Sequence, residues 1–239
     1  MVLVEGAIND RQGMVPTAKL LAARYTVFNY DRRGRGDSGN TLPYSVQREI
    51  EDIEAVIDKA GGSAFVYGHS SGASLAMEAA ASLGGKVRKL AMYEAPYNDA
   101  PPARQAWGRY LKELTTLLAA DRRGDAVALF MRYVGLPEEQ VDAMRHSPAW
   151  PRREAIAPTL MYDHPGIMGD DASIPVERAR RVQAPTLLMN GGAGAPFMYQ
   201  TALTLSRTIP RAQLRTLEGQ THAVSPDVLV PVLAEFFGA

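Results

Sequence analysis

The stretch Ala64-Phe-Val-Tyr-Gly68-His69-Ser70-Ser71-Gly72-Ala-Ser-Leu-Ala-Met-Glu-Ala-Ala80 decides how the rest of the chain is read. Its first four residues suit a buried strand, its last eight form helix readily, and Gly-x-Ser-x-Gly lies between them. The spacing has a steric cause. A strand that turns straight into a helix brings two backbones so close that only glycine fits at the flanking positions, and the central serine is pushed out on a strained turn. The turn also points the backbone N–H of Ser71, at a helix N-terminus, toward negative charge developing beside Ser70. Ser70 is therefore the candidate nucleophile. The competing reading, a small-residue turn that merely packs tightly, is disfavoured by the strand before it and the helix after it.

Outward from this stretch, short apolar runs alternate with helical patterns. Val2–Val4 and residues 25–30, 63–68 and 88–94 read as strands; residues 14–24, residues 44–60 and Ser71–Leu83 read as helices. The second helix rests on Val46, Ile50, Ile53, Val56 and Ile57 at three- and four-residue spacing, ended by Gly61-Gly62. Between residues 97 and 182 only helical or loop signals occur, with helices over 103–120, 125–134, 137–145 and 151–161 and a Pro/Gly-rich loop at Tyr162-Asp163-His164. Strand 185–190, helix Pro196–Thr208, strand 213–217 and helix 225–237 then resume the alternation. The pattern predicts an α/β fold, a mainly parallel sheet flanked by helices, formed by residues 1–96 and 183–239 and interrupted by a helical insertion at 97–182.

Composition removes whole classes of function. The 239 residues carry 26 basic and 26 acidic side chains, without the basic surplus a nucleic-acid protein shows. Zero cysteines exclude disulfides, thiolate metal sites and a cysteine nucleophile. Only His69, His146, His164 and His222 can serve as a histidine base. The longest apolar runs, such as 126–131, fall far short of the ~18 residues of a membrane span. Met1-Val-Leu-Val lacks the basic start of a secretory leader, so a cytoplasmic protein without membrane contact is expected.

With these motifs in place, the sequence resembles the α/β-hydrolase superfamily over nearly its whole length outside the insertion, which in that family is a cap between the strands numbered six and seven. Asp31-Arg32-Arg33-Gly34-Arg35-Gly36-Asp37-Ser38 resembles the family's D-x-R-G-x-G-x-S loop, read as a braced turn and not as a phosphate site. Val4-Glu5-Gly6-Ala7 resembles its His-Gly-x segment, which implies Ala7 and Ser71 as the oxyanion hole; Glu5 stands where the family usually has His. His222, in Glu218-Gly-Gln-Thr-His222, lies where the family places its base, and a serine hydroxyl needs such a neighbour to take its proton. His69 reads as a structural group, and His146 and His164 as surface residues. The acid is expected at Glu94. The loop 190–196, where members often carry Asp, has no carboxylate, whereas the preceding strand ends at Glu94, an arrangement resembling that of lipases. Asp99 is the reserve, and absence of an acid the remaining alternative.

The resemblance implies a cofactor-free, metal-free serine hydrolase acting on an ester, lactone or related acyl bond. A lyase, carbon–carbon hydrolase or cyclase on the same scaffold, or a non-catalytic binding homologue, are the alternatives. The insertion is rich in Met, Leu and aromatics, and Trp107, Phe130, Met131, Trp150, Met161 and Tyr162 are the expected lining of an apolar pocket for a small neutral substrate. Tyr162-Asp163-His164 is a further candidate polar contact. Met1 falls almost on strand three of the family, so the N-terminal hairpin is expected to be missing. Either the chain is truncated or the sheet is reduced to about six strands with residues 25–30 at an edge, and such an edge predicts a homodimer.

Overall fold

The computed structural model describes residues 1–238. Among these, β1 (Val2–Val4), β2 (Phe28–Asn29), β3 (Ala64–His69), β4 (Val87–Tyr93), β5 (Thr186–Gly191) and β6 (Ala212–Leu217) form one six-stranded sheet in the order β2-β1-β3-β4-β5-β6. Every pairing is parallel. The helices are α1 (Val15–Leu21), α2 (Val46–Lys59), α3 (Ser71–Leu83), α4 (Pro101–Ala119), α5 (Arg123–Tyr133), α6 (Glu138–Arg145), α7 (Trp150–Ile156), α8 (Val176–Ala179), α9 (Pro196–Thr208) and α10 (Pro226–Gly238).

A parallel sheet covered on both faces needs strands that are apolar throughout, and the two-residue period sorts their side chains between two layers. Val2, Val4, Val66, Leu90, Met92 and Leu188 pack with α2, α3 and α9. Leu3, Tyr67, Ala91, Tyr93, Leu187 and Met189 pack on the other face with α1 and α10. The inserted helices α4–α7 join the first layer: Trp107, Leu114, Val127, Met131 and Val141 belong to the same continuous apolar core.

The edge strand is shorter than its β-branched and aromatic composition predicts. Only Phe28 and Asn29 pair as a strand, opposite Val2 and Leu3; β1 is three residues long, and ahead of it the Met1 ammonium donates to the Thr26 carbonyl at 2.7 Å without extending the ladder. The helix expected over 151–161 ends at Ile156 and passes into a tight turn, Ala157–Thr159, around Pro158, where a proline nitrogen has no hydrogen to continue the ladder. Tyr162–Met168, read from its Pro and Gly as a loop, is wound as a π-helical turn with Pro165 inside it.

Candidate active site

Parallel strands bring their carboxyl ends to one side of the sheet, and loops there form the binding crevice of open α/β sheets. Registers Val4↔Gly68, His69↔Tyr93 and Gly191↔Leu217 align the ends of five neighbouring strands. At the end of β3 the chain turns sharply. Ser70 has φ 56° and ψ −130°, a conformation that costs a non-glycine residue about 1–3 kcal/mol. The flanking glycines are a steric necessity: a β-carbon on Gly68 would lie 2.4 Å from the Gly72 carbonyl oxygen, and one on Gly72 would lie 2.2 Å from that of Val4. Two more non-glycine residues with positive φ flank this turn: Ile8 (54°), in the loop four residues beyond β1, and Glu94 (49°), directly after β4.

The loop after β1 lies directly against the serine. A β-carbon on Gly6 would come within 2.9 Å of Ser70 Cβ and 3.5 Å of its Oγ. Two buried arginines brace this loop from behind. Arg32 Nη1 donates to the Glu5 carbonyl at 3.1 Å, and Arg35 Nη1 to the Gly6 carbonyl at 2.5 Å. A planar trans peptide directs its N–H opposite to its C=O, so the Gly6 carbonyl held by Arg35 turns the Ala7 N–H away from the arginines. The arginine charges are balanced inside the protein. Arg32 forms a fork on Glu49 at 2.7 and 2.8 Å and reaches Asp163 at 2.7 Å, while Arg35 binds the other Asp163 oxygen. Burial alone would raise the Asp163 pKa; Arg32 and Arg35 reverse that and hold it at about 2. Ser71 Oγ also donates to Asp163 at 2.8 Å, so the last part of the insertion is tied to the first turn of α3.

Glu94 and His222 meet across the next two strands. His222 Nδ1 lies 2.6 Å from Glu94 Oε2, and Gly191 N–H donates to Oε1 at 2.8 Å. Glu94 is buried, whereas the His222 side chain is 45% exposed. Three successive carbonyls in the loop carrying His222 are held: Gln220 by Ala193 N–H at 2.8 Å, Thr221 by Tyr93 Oη–H at 2.5 Å and His222 by His69 Nε2 at 2.9 Å. Asp99 lies elsewhere, accepting from Ile174 N–H at 2.8 Å.

Within the insertion, Trp107 Nε1 donates to the Gly169 carbonyl and Trp150 Nε1 to Glu154. Tyr162 stacks on Tyr44 with centroids 4.1 Å apart and accepts from Asn40. Met131 is buried, and Phe130 and Met161 are half-buried. His146 is on the surface as expected, but His164 is buried, with Nδ1 2.8 Å from Tyr110 Oη and its ring among Trp107, Tyr110 and Phe130. Its burial follows from the helical winding of 162–168, which a reading of that stretch as loop could not give. Asp163, expected as a polar contact of the pocket, is instead buried against Arg32 and Arg35, and the contact between Glu5 and His69 was missed; each depends on residues far apart in sequence and has no local signal. Among the described residues no group of three or more acidic or histidine side chains is placed to hold a metal ion, and no helix is long and apolar enough to cross a membrane.

Known proteins agree with this architecture. A family model described as the alpha/beta hydrolase family matches residues 10–232. The crystal structure of an alpha/beta hydrolase from Sphaerobacter thermophilus DSM 20745 is 51% identical, with 99% of this chain and 91% of that chain covered and a TM-score of 0.89. A thermophilic esterase from Thermogutta terrifontis is 19% identical (99% and 88% covered, TM-score 0.69). The 2-hydroxy-6-oxo-6-phenylhexa-2,4-dienoate hydrolase from Rhodococcus sp. strain RHA1 is 20% identical (100% and 90% covered, TM-score 0.67). At that identity the last two show a common fold and nothing finer. The chain belongs to the alpha/beta hydrolase family.

Proposed function

We propose that the protein is a serine hydrolase that cleaves an ester, lactone or related acyl bond of a small, largely apolar substrate. The observation that carries this reading is the 2.6 Å contact between Glu94 and His222 Nδ1, one strand away from a serine held at a strained strand–helix turn. Glu94 keeps the proton of the imidazole on Nδ1 and leaves Nε2 as the base. Ser70 Oγ attacks the acyl carbon as Nε2 takes its proton, and the tetrahedral oxyanion is met by the backbone N–H groups of Ala7 and Ser71. The imidazolium returns the proton to the leaving oxygen. Water, activated by the same nitrogen, then releases the acyl group and restores Ser70.

Helices α4–α7 act as a cap in this account. Of the apolar side chains proposed to line the pocket, the half-buried Phe130 and Met161 retain surface to give to a ligand, while Trp107, Met131, Trp150 and Tyr162 shape the wall from behind. A panel of p-nitrophenyl esters of short and medium acyl length tests the reading. Turnover by wild type and its loss in Ser70→Ala support ester hydrolysis. A protein that is inert toward every ester would instead be doing lyase, cyclase or carbon–carbon bond chemistry, or only binding.

A further inference from the structure

Glu5 and His69 form a buried pair behind His222. The Glu5 side chain is 6% exposed and that of His69 is 19% exposed. His69 Nε2 lies 2.9 Å from the His222 carbonyl oxygen. A carbonyl can only accept, so Nε2 carries a hydrogen. His69 Nδ1 then faces Glu5 Oε1 at 3.5 Å, and Oε1 already accepts from Gly6 N–H at 2.8 Å. A neutral imidazole with its hydrogen on Nε2 would set a bare nitrogen lone pair against the carboxylate. One further proton removes that repulsion.

We propose that this proton resides on His69 Nδ1, making a carboxylate–imidazolium pair whose Nε2–H holds the His222 carbonyl and so positions His222 as the base. The proposal rests on the reading of His222 as that base. The His69 and His222 rings are 4.8 Å apart between centroids, with Glu5 on the far side of His69.

Four groups face His69 from the elements around it: Glu5 from the loop after β1, Tyr93 at the end of β4 with its ring 5.8 Å away, Glu94 just beyond it, and His222. Tyr93 stays neutral, since burial and Glu94 both push its pKa up. For His69, burial works against the charge; the contact with Glu5, the His222 carbonyl and Glu94 together outweigh it and raise its pKa above the ordinary value.

Nitrogen NMR of histidine-labelled wild-type protein at pH 7 reads the site of the proton directly. Two protonated nitrogens on His69, reverting to a neutral ring in Glu5→Gln, are expected; a neutral His69 in wild type overturns the proposal. The second readout is the rate of fluorophosphonate labelling. It falls about 10-fold in His69→Ala and is partly rescued in His69→Gln, whose side-chain amide N–H can still donate to the His222 carbonyl. An unchanged rate in His69→Ala, or a loss that Gln does not rescue, overturns the positioning. Should Ser70 not label at all, the nucleophile reading fails, while the His69 nitrogen shifts still decide where the proton sits.

Discussion

A β-carbon on Gly194 would lie 2.9 Å from Glu94 Oε1, so the glycine-rich loop after β5 is the space into which the Glu94 carboxylate extends. The carboxylate has little freedom to retreat, because its two oxygens are held by Gly191 N–H and by His222. Gly194→Ala is therefore expected to lower kcat on an ester substrate about 10- to 100-fold by displacing Glu94, with little change in Tm. Unchanged turnover would separate Glu94 from the chemistry.

Glu94→Gln keeps the shape of the side chain and leaves an acceptor for Gly191 N–H. It removes the charge that holds the imidazole tautomer. A fall in kcat of about 10⁴-fold with an unaltered circular dichroism spectrum is expected. Near-normal kcat would contradict the assignment of Glu94.

Asp163 neutralises Arg32 and Arg35 in the interior. Removing one partner of a buried ion cluster strands the others, so Asp163→Ala should cost about 3–5 kcal/mol in urea unfolding. Its depressed pKa, about 2 against 3.8 for the ordinary group, fixes the acid dependence. The contribution is fully present above about pH 4 and disappears as pH falls through about 2. A stability curve of Asp163→Asn should be flatter than wild type in that window.

His164 also makes acid destabilising, at milder pH. Burial, reinforced by Arg35 and only partly opposed by Asp163, lowers its pKa from 6.5 to about 4. Between those values the unfolded chain binds a proton that the folded one does not, so stability falls as pH drops from 6.5 to 4, by about 3 kcal/mol. His164→Gln removes the titration, and its stability should change less across the same range by denaturant melts.

The legible parts of the molecule were those fixed by local sterics or by period. The elbow at Gly68–Gly72 could be read because no other residue fits the backbone approach, and the parallel strands because their side chains are apolar on both faces. The contact of Glu94 with His222 was legible through an absence: the loop 190–196 has no carboxylate, which leaves the end of the preceding strand to supply one. Length of β2 was not legible, since it depends on how little of β1 there is to pair with. Asp163 and His164 were read as a loop because Pro165 and Gly166 break the usual helical signals, although a π-helical turn accommodates both. Glu5 could be seen only as a departure from the family pattern; its partner His69 comes from the next strand in space, 64 positions on. Contacts between strand ends leave no periodic trace in sequence.

Mass spectrometry of the protein after reaction with a fluorophosphonate tests the nucleophile assignment most directly. A single covalent adduct on the peptide containing Ser70, absent in Ser70→Ala and formed far more slowly in His222→Ala, is the predicted result. No adduct on wild type, or equal labelling of Ser70→Ala, would contradict it.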